Sequence, residues 1–590
     1  MSKKESGKAF DAKIFMRILS FAKNYKTHFI TATLAVVITA LLSAYRPYLL
    51  KEAVNDFTIN KSEATLLDYT LLMFAVLIAE VFLQVLFIYF ANWIGQHIIR
   101  DIRAKIFRHI LQFKMSYFDT TSVGKLVTRV VSDIETIASS FSQGLFMIIS
   151  DILKMLVVTV VMLLINWKLA LIALAVLPIL IYATKLFQIA IKATFQEVRT
   201  QVANLNGFVQ ERVTGMKIVQ LFSREKIEYD NFVEINDKHK KAHIKAVWYY
   251  SIFFPIAEVL SSIAIGLLVW FGGLQSVNNV DVQPGDIMSF IMMTQMLFRP
   301  LRQIADKFNT LQMGIVSGER VFGVMDTESS IGKEGNIIAA NLEGKIEFKD
   351  VRFSYIKDEE VLKGVSFNVE KGQTVAIVGA TGAGKSTIIN LINRFYEIDS
   401  GQICVDSVSV KEYNLHSLRN QIAVVLQDVF LFSDSILNNI TLKNESISLE
   451  EVQEAAKQIG IHDFIMSLPN GYHYNVKERG AMLSSGQRQL IAFLRAYVSK
   501  PSILILDEAT SSVDSHAEQM IQFATDTITK GRTSIVIAHR LATIKKADKI
   551  IVMDKGFIVE EGSHKELLKK TEGYYKNLYD KQFSSTEVAI

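Results

Sequence analysis

The chain has 590 residues, of which 50% are hydrophobic and 21% are charged, and its mean hydropathy is +0.25. This length corresponds to roughly three to five globular units, or fewer if part of the chain lies in a membrane. The composition excludes a small binding module and a disordered chain. A single cysteine, Cys404, excludes an intramolecular disulfide and a cysteine-based zinc site. The net charge of +5 is slight for this length, and we expect no nucleic-acid partner.

Six apolar runs occupy the first half of the chain, and most approach the ~20 residues that a helix needs to cross a ~30 Å hydrocarbon core. They lie at residues 29–50, 66–93, 145–165, 169–182, 247–271 and 287–301. The third and fourth runs are separated only by residues 166–168, which predicts a hairpin. The sequence therefore predicts a membrane domain of six helices.

Lysine and arginine residues are concentrated before the first run, between the second and third, and between the fourth and fifth. Because such residues stay on the cytoplasmic side, both termini are predicted to be cytoplasmic. Low cysteine use and the compact layout suit a bacterial plasma (inner) membrane. Residues 10–25 are basic and have apolar residues at helical spacing, which predicts a helix lying along the membrane surface.

The two long cytoplasmic connections are predicted to be structured, because they are not rich in Gly, Pro or Ser. Residues 100–112 and 188–219 carry apolar positions every three or four residues. We expect the membrane helices to continue into the cytoplasm as a stalk on the order of 30 Å long.

A second domain follows the membrane domain. The membrane domain is predicted to span residues 1–326, a polar linker residues 327–341, the second domain residues 342–582 and a tail residues 583–590. From Gly344 onward, short β-branched runs alternate with helical ones, which is typical of an α/β unit with a largely parallel sheet.

The anchor of this domain is the sequence GATGAGKST at residues 379–387, which fits the phosphate-loop pattern G-x-x-x-x-G-K-[ST] at every position. A strand leads in and a helix leads out, so backbone N–H groups can wrap phosphate oxygens at a helix N-terminus. Lys385 is predicted to reach the β- and γ-phosphates, and Ser386 to bind magnesium. The candidate phosphate-loop residues are Gly379, Ala380, Thr381, Gly382, Ala383, Gly384, Lys385, Ser386 and Thr387.

The second anchor is an apolar strand that ends in two acids, Asp507 and Glu508. Ligands bind at the carboxyl edge of such sheets. Asp507 is predicted to hold magnesium through water, and Glu508 to polarise the water that attacks the γ-phosphate. A solvated acid pair at a strand end is the alternative, and the complete phosphate loop argues against it.

Between the two anchors stands the pentapeptide LSSGQ, Leu483 to Gln487. With it the chain resembles the ATP-binding cassette exporters, whose signature reads LSGGQ at this place. The resemblance covers nearly the whole chain. Residues 117–133 resemble the first coupling region of these exporters and residues 207–225 the second.

The resemblance implies roles for further positions. Tyr355 resembles the aromatic residue that stacks on adenine, Gln427 the glutamine at the magnesium site, and His539 the switch histidine that contacts the γ-phosphate. Asp514 resembles the aspartate of the D-loop, and residues 478–480 the short loop before the signature that touches the coupling helices. The signature residues assigned to nucleotide binding are Ser484, Ser485, Gly486 and Gln487.

In this family the signature of one cassette closes over the nucleotide bound by another, so the resemblance implies a dimer that uses ATP and Mg²⁺. One position departs from the family pattern, since Ser485 replaces the first glycine of LSGGQ. Backbone N–H groups remain available there and the hydroxyl can itself donate, so we expect activity to survive.

The resemblance predicts ATP-driven export or flipping of an amphipathic compound, as in lipid A flippases and multidrug exporters. Peptide export, a nucleotide-gated channel and a soluble DNA-repair cassette ATPase are the alternatives. The lone Cys404 in the cassette argues against a peptide-processing exporter, Glu508 against the channel, and the apolar runs against the soluble ATPase. Homodimer and heterodimer both remain open.

Ionisable residues inside the predicted spans are candidates for the transport path, because each costs roughly 2.5 to 3.5 kcal/mol on insertion scales. They are Glu80, Asp151, Lys154, Glu258 and Arg299. Asp151 and Lys154 are three residues apart and are expected to pair on one helix face. Glu258 and Arg299 are expected to line the cavity, together with the aromatic residues Phe253, Phe254 and Phe298.

Overall fold

The computed structural model describes residues 12–60, 63–277, 282–328, 335–507, 515–538 and 541–582. These residues form two compact units. The first consists of Met1–Leu111 and Val123–Thr327, and the second of Gln112–Ser122 and Glu328–Ile590. The short segment Gln112–Ser122, which falls in the first half of the sequence, therefore groups with the second unit.

The first unit is entirely helical where the structure describes it. In the described part of the chain, twelve α-helices precede the first strand, and α4 alone among them belongs to the second unit. They are α1 Ala12–Ala22, α2 Lys26–Asn60, α3 Glu63–Ile110, α4 Met115–Thr120, α5 Val123–Thr128, α6 Ile134–Ser139, α7 Phe146–Ile165, α8 Trp167–Ala175, α9 Leu177–Thr214, α10 Met216–Leu221, α11 Glu225–Val277 and α12 Pro284–Met325.

Among the described residues, five helical segments are long and apolar enough to cross a membrane. They are Lys13–Thr58, Glu63–Ile110, Phe146–Ile165, Trp167–Thr214 and Glu225–Val277. Several greatly exceed the roughly 20 residues that a crossing requires. As the sequence predicted, helices α3 and α9 continue without a break through residues 100–110 and 188–214.

The sixth predicted span falls in α12, which is not among those five segments. Its apolar run is short and contains polar residues, and the structure shows how these are tolerated. Ser289 and Thr294 are fully buried, and their hydroxyls donate to the carbonyl oxygens of Asp286 (2.8 Å) and Phe290 (2.7 Å). One face of α12 is therefore buried along this stretch, and its status as a sixth span stays a prediction.

Farther along, α12 packs closely against the helical turns that follow α5. Ser317 donates a hydrogen bond to the buried carboxylate of Asp133 (3.2 Å). At Gly314, a Cβ atom would overlap the side chain of Ser140. The residues 140–145 that face α12 form a π-helical turn, a local widening that is found mostly as a single turn in helices. Only glycine at position 314 allows this approach of the two helices.

We expect Gly314→Ala to lower the stability of the protein by about 1–3 kcal/mol, because an added methyl group forces two packed helices apart. The measurement is thermal unfolding of the detergent-solubilised chain. Gly266→Ala is the matched control, because nothing lies within 4 Å of a Cβ built at Gly266 on α11. Equal melting temperatures for the two variants would contradict the packing described here.

Two acidic residues of the spans, Asp151 and Glu80, pair with basic residues on other helices. The Asp151 carboxylate on α7 pairs with Lys307 on α12 rather than with Lys154, which corrects the sequence prediction. Local helical spacing suggested Lys154, but a chain that folds back brings a more distant cation to Asp151. Glu80 on α3 faces Arg46 on α2, with 3.6 Å between the Glu80 Oε2 and Arg46 Nε atoms.

The prediction that three phenylalanines line the transport cavity also needs correction. Phe298 is fully buried among the helices of the first unit. Phe253 is 4% exposed and stacks on Phe187 of α9, with 4.2 Å between the ring centroids. These two rings stabilise helix packing instead of lining a cavity, whereas Phe254, Glu258 and Arg299 are exposed in the single chain.

The second unit contains two sheets. A four-stranded antiparallel sheet has the order β2-β1-β4-β5, and a six-stranded sheet has the order β10-β9-β3-β8-β7-β6, in which only β10 runs antiparallel. The strands are β1 Ile346–Ser354, β2 Glu360–Val369, β3 Thr374–Gly379, β4 Ser400–Val405, β5 Val408–Ser409, β6 Ile422–Val425, β7 Ile503–Asp507, β8 Thr533–Ile537, β9 Lys549–Asp554 and β10 Phe557–Gly562.

Helices cover one face of the larger sheet, and helices together with the smaller sheet cover the other, so its central strands are buried runs rich in Val, Ile and Leu. The helices are α13 Lys385–Ile392, α14 Leu415–Asn420, α15 Ile436–Thr441, α16 Leu449–Gln458, α17 His462–Ser467, α18 Ser485–Val498, α19 Ser515–Thr529, α20 Leu541–Lys546, α21 His564–Leu568 and α22 Tyr574–Gln582. This is the predicted helical membrane region followed by an α/β domain.

Candidate nucleotide-binding site

The parallel strands bring the start of the phosphate loop and Asp507 to one edge of the sheet. Strand β8 lies between β3 and β7, and Ile537 of β8 is level with both Ile377 of β3 and Asp507 of β7. The phosphate loop begins where β3 ends, so it starts close to the edge at which Asp507 stands. The carboxyl edge is where ligands bind in open α/β sheets.

The loop between β3 and α13 has a backbone that requires glycine. Gly384 has a φ of +98° and a Cβ there would lie 2.8 Å from the Leu362 Cδ2 atom. Gly382 has a φ of +82°, and nothing lies within 4 Å of a Cβ built on it. A loop with left-handed glycines and open space suits the approach of an anion to backbone N–H groups at the start of α13.

Lys385 is the first residue of α13, directly after this loop. Its Nζ atom donates hydrogen bonds to the carbonyl oxygens of Gly379 (2.9 Å) and Ala380 (3.0 Å), and the residue is only 8% exposed. Burial lowers the pKa of the Lys385 ammonium, and the charge of Asp507 opposes that shift. An incoming anion could therefore replace weak carbonyl contacts with a strong ionic one.

Tyr355 stands beside the loop, directly after β1. Its hydroxyl donates to Thr387 Oγ1 (3.3 Å) and accepts from Asn390 Nδ2 (3.1 Å). Tyr355 is 44% exposed, and its ring meets the ring of Tyr396 edge-on, with 5.0 Å between the centroids. The sequence analysis missed Asn390 and Tyr396, for which the only available signal was their position just beyond the phosphate loop.

The remaining predicted residues are placed as follows. Gln427 is exposed two residues after the end of β6, an edge strand of the larger sheet. Ser386 and Thr387 occupy the first turn of α13. Glu508, Asp514 and His539 lie outside the described residues, and their roles stay predictions.

The signature segment forms the start of helix α18. Ser484 caps this helix, because its Oγ atom accepts from the Gln487 N–H (3.2 Å) while Gln487 Oε1 accepts from the Ser484 N–H (2.9 Å). Ser485 is the first helical residue and is exposed, so a serine fits this backbone without strain. The segment presents the N-terminal end of a helix, which favours binding of an anion.

The turn before the signature carries backbone strain. Lys477 has φ 59° and ψ −170°, a conformation that is essentially restricted to glycine, and Arg479 has φ 53°. The Arg488 guanidinium donates to the carbonyl oxygens of Leu483 (2.8 Å) and Gly480 (3.4 Å), which ties this turn to α18. The strained turn is thus joined to the signature helix.

We expect Lys477→Gly to stabilise the protein by about 1–3 kcal/mol, because glycine removes the strain of this backbone conformation. A thermal unfolding curve of the purified chain measures the change as a higher melting temperature. Lys443→Gly, at a residue with the ordinary left-handed φ of 62°, should give a smaller gain. A lower melting temperature for Lys477→Gly would contradict the assignment of strain.

Comparison with known proteins gives two family matches. Residues 29–301 match the model of the ABC transporter transmembrane region, and residues 362–511 match the model of the ABC transporter. The two matches cover most of the chain and fall on the helical region and on the α/β domain respectively.

Several relatives match over nearly their whole length. The uncharacterized ABC transporter ATP-binding protein YknV of Bacillus subtilis (strain 168) is 35% identical over 98% of this chain and 96% of its own. The ATP-dependent lipid A-core flippase of Syntrophus aciditrophicus (strain SB) is 34% identical over 98% of this chain and 95% of its own. The putative multidrug export ATP-binding/permease protein YgaD of Bacillus subtilis (strain 168) is 35% identical over 96% of this chain and 99% of its own.

The family matches, the apolar helices and the phosphate loop at the sheet edge agree with one another. The first unit is a helical transmembrane region and the second binds nucleotide, and the chain couples ATP hydrolysis to transport. Half-transporters of this kind generally function as dimers. The chain belongs to the ATP-binding cassette exporters, as a half-transporter with one membrane region and one cassette.

Proposed function

We propose that two copies of this chain form an exporter in the bacterial plasma membrane that moves a lipid or another amphipathic compound outward, with both termini in the cytoplasm. The observation that carries the proposal is the position of Lys385 and Asp507 at one edge of the sheet that follows an apolar helical region. The printed names of relatives, lipid A-core flippase and multidrug export protein, support the substrate class.

Individual residues of the cassette have different roles in ATP hydrolysis. Lys385 and the N–H groups of the loop hold the phosphates and bear the charge that develops as the γ-phosphoryl group leaves. Glu508 accepts a proton from the attacking water, and His539 contacts the γ-phosphate. Tyr355 stacks on the adenine ring. The acid and amide oxygens of Asp507 and Gln427, with the Ser386 hydroxyl, suit a hard cation and would hold Mg²⁺, which neutralises phosphate charge.

Dimerisation follows from the signature segment. Ser484 to Gln487 and Asp514 of one subunit are proposed to close over the nucleotide that the other subunit holds. Nucleotide then joins two cassettes, and closure is passed through the coupling regions, residues 117–133 and 207–225, to the membrane helices as a rigid-body motion.

The test is reconstitution of the purified chain alone in liposomes, with ATP-dependent movement of a fluorescent phospholipid and of a cationic amphipathic dye as the two transport assays. Movement of either compound in the presence of ATP supports the proposal. Activity that requires a second half-transporter would replace the homodimer with a heterodimer. ATP hydrolysis that neither amphiphile accelerates, combined with stimulation by a peptide, would overturn the proposed substrate class.

A further inference from the structure

Tyr396 of the cassette contacts both Tyr355, the residue proposed to stack on adenine, and the segment that follows α3. The Tyr396 hydroxyl donates a hydrogen bond to Asp119 Oδ2 at 2.5 Å, although the two residues are 277 positions apart in the sequence. Asp119 lies in α4, within the segment Gln112–Ser122 that groups with the cassette unit. That segment is covalently continuous with α3 on one side and α5 on the other.

The Tyr396 ring is also part of the platform around Tyr355. It meets Tyr355 edge-on (5.0 Å between centroids) and Phe353 at a steep angle (5.7 Å). Tyr355 in turn donates to Thr387 of the phosphate loop. Hydrogen bonds and ring contacts therefore run without interruption from the phosphate loop through Tyr355 and Tyr396 to Asp119.

The turn that presents Tyr396 is held rigidly. Arg394 has a left-handed φ of 50°, and its buried side chain donates to Glu397 Oε1 (2.8 Å). The Arg419 guanidinium donates to the carbonyl oxygens of Asn393 and Arg394 (3.0 Å each). These hydrogen bonds fix the backbone from which the Tyr396 side chain extends. Burial and the bond to Asp119 raise the pKa of Tyr396, so its hydroxyl remains a donor.

We propose that Tyr396 and Asp119 are positioning residues that couple adenine binding at Tyr355 to the placement of α4. The inference rests on the proposed role of Tyr355. If α4 holds Tyr396, and Tyr396 holds the Tyr355 ring in place, then loss of the hydrogen bond weakens adenine stacking. By thermodynamic reciprocity, bound adenine stabilises the position of α4 by the same factor. The adenine base thus contributes to the coupling between nucleotide binding and the position of α4 separately from the phosphates.

The test uses the full-length chain in lipid, with the variants Tyr396→Phe, Asp119→Ala and the double variant. We expect either single change to raise the KM for ATP about 5-fold while kcat stays within about twofold. The inhibition constant of inorganic triphosphate, which has no base, should not change. The double variant should resemble each single one, because both remove the same interaction.

Tyr413→Phe is the matched control, since it removes a buried tyrosine hydroxyl of the same cassette that donates to the Val405 carbonyl oxygen (3.1 Å). It should leave the KM for ATP unchanged. Equal KM values for Tyr396→Phe and the control, an equal loss of triphosphate binding, or additive effects in the double variant would each overturn the inference. A wild-type chain without ATPase activity would instead overturn the proposed function.

Discussion

Replacement of Glu508 by glutamine is expected to reduce ATP turnover by about 10²- to 10⁴-fold, the usual contribution of a general base. Glutamine has nearly the same shape as glutamate but cannot accept the proton of the attacking water. Phosphate binding by the loop and Lys385 does not require that proton, so the variant should still bind ATP. The measurement is steady-state phosphate release in lipid, together with the affinity for a fluorescent ATP analogue.

Glu343→Gln controls for the loss of one negative charge, because Glu343 is an exposed cassette residue that pairs with Lys371. It should leave turnover within about twofold, as most surface substitutions have small effects. If Glu508→Gln hydrolysed ATP at the wild-type rate, water activation would have to be assigned to another residue.

Lys385→Met is expected to reduce turnover by about 10²- to 10³-fold, the typical loss when one preorganised group that stabilises developing charge is removed. It should also weaken ATP binding, since the ammonium contacts the phosphates in both the ground state and the transition state. The variant should fold, because burial already disfavours the charged form of Lys385 and methionine fits a buried position.

Lys371→Met is the matched control, as the Lys371 side chain is 67% exposed and lies outside the loop. Turnover and ATP affinity are measured for both variants under the same conditions. A Lys385→Met protein that melts at the wild-type temperature and yet hydrolyses ATP normally would remove the ammonium from the proposed mechanism.

The local parts of the cassette were predictable from the sequence. The phosphate loop, the acidic strand end and the signature are short patterns whose function depends on backbone conformation, and Gly382 and Gly384 have the left-handed φ angles that favour glycine. Strand order was not predictable, because no local pattern specifies that β8 lies between β3 and β7. The sequence therefore indicates the candidate site residues, but it does not indicate the order of the strands that carry them.

Contacts between distant segments escaped the sequence analysis. Helical spacing favoured Lys154 as the partner of Asp151, whereas the structure selects Lys307, 156 positions away. The Tyr396–Asp119 bond has the same origin, since the chain must fold before either residue faces the other. Aromatic residues were a further source of error. Phe253 and Phe298 satisfied the pattern for a lining, but packing between helices buries them.

The central claim, that ATP bound by the cassette rearranges the membrane helices, is tested most directly by a distance measurement at the outer ends of those helices. The only cysteine of the chain, Cys404, is buried, so a spin label at Val277→Cys, at the exposed end of α11, would be the main label on each subunit. We predict that ATP lengthens the label-to-label distance in the dimer, and that Glu508→Gln holds the longer distance while ATP is present. A distance distribution that ATP leaves unchanged in both proteins would contradict the account.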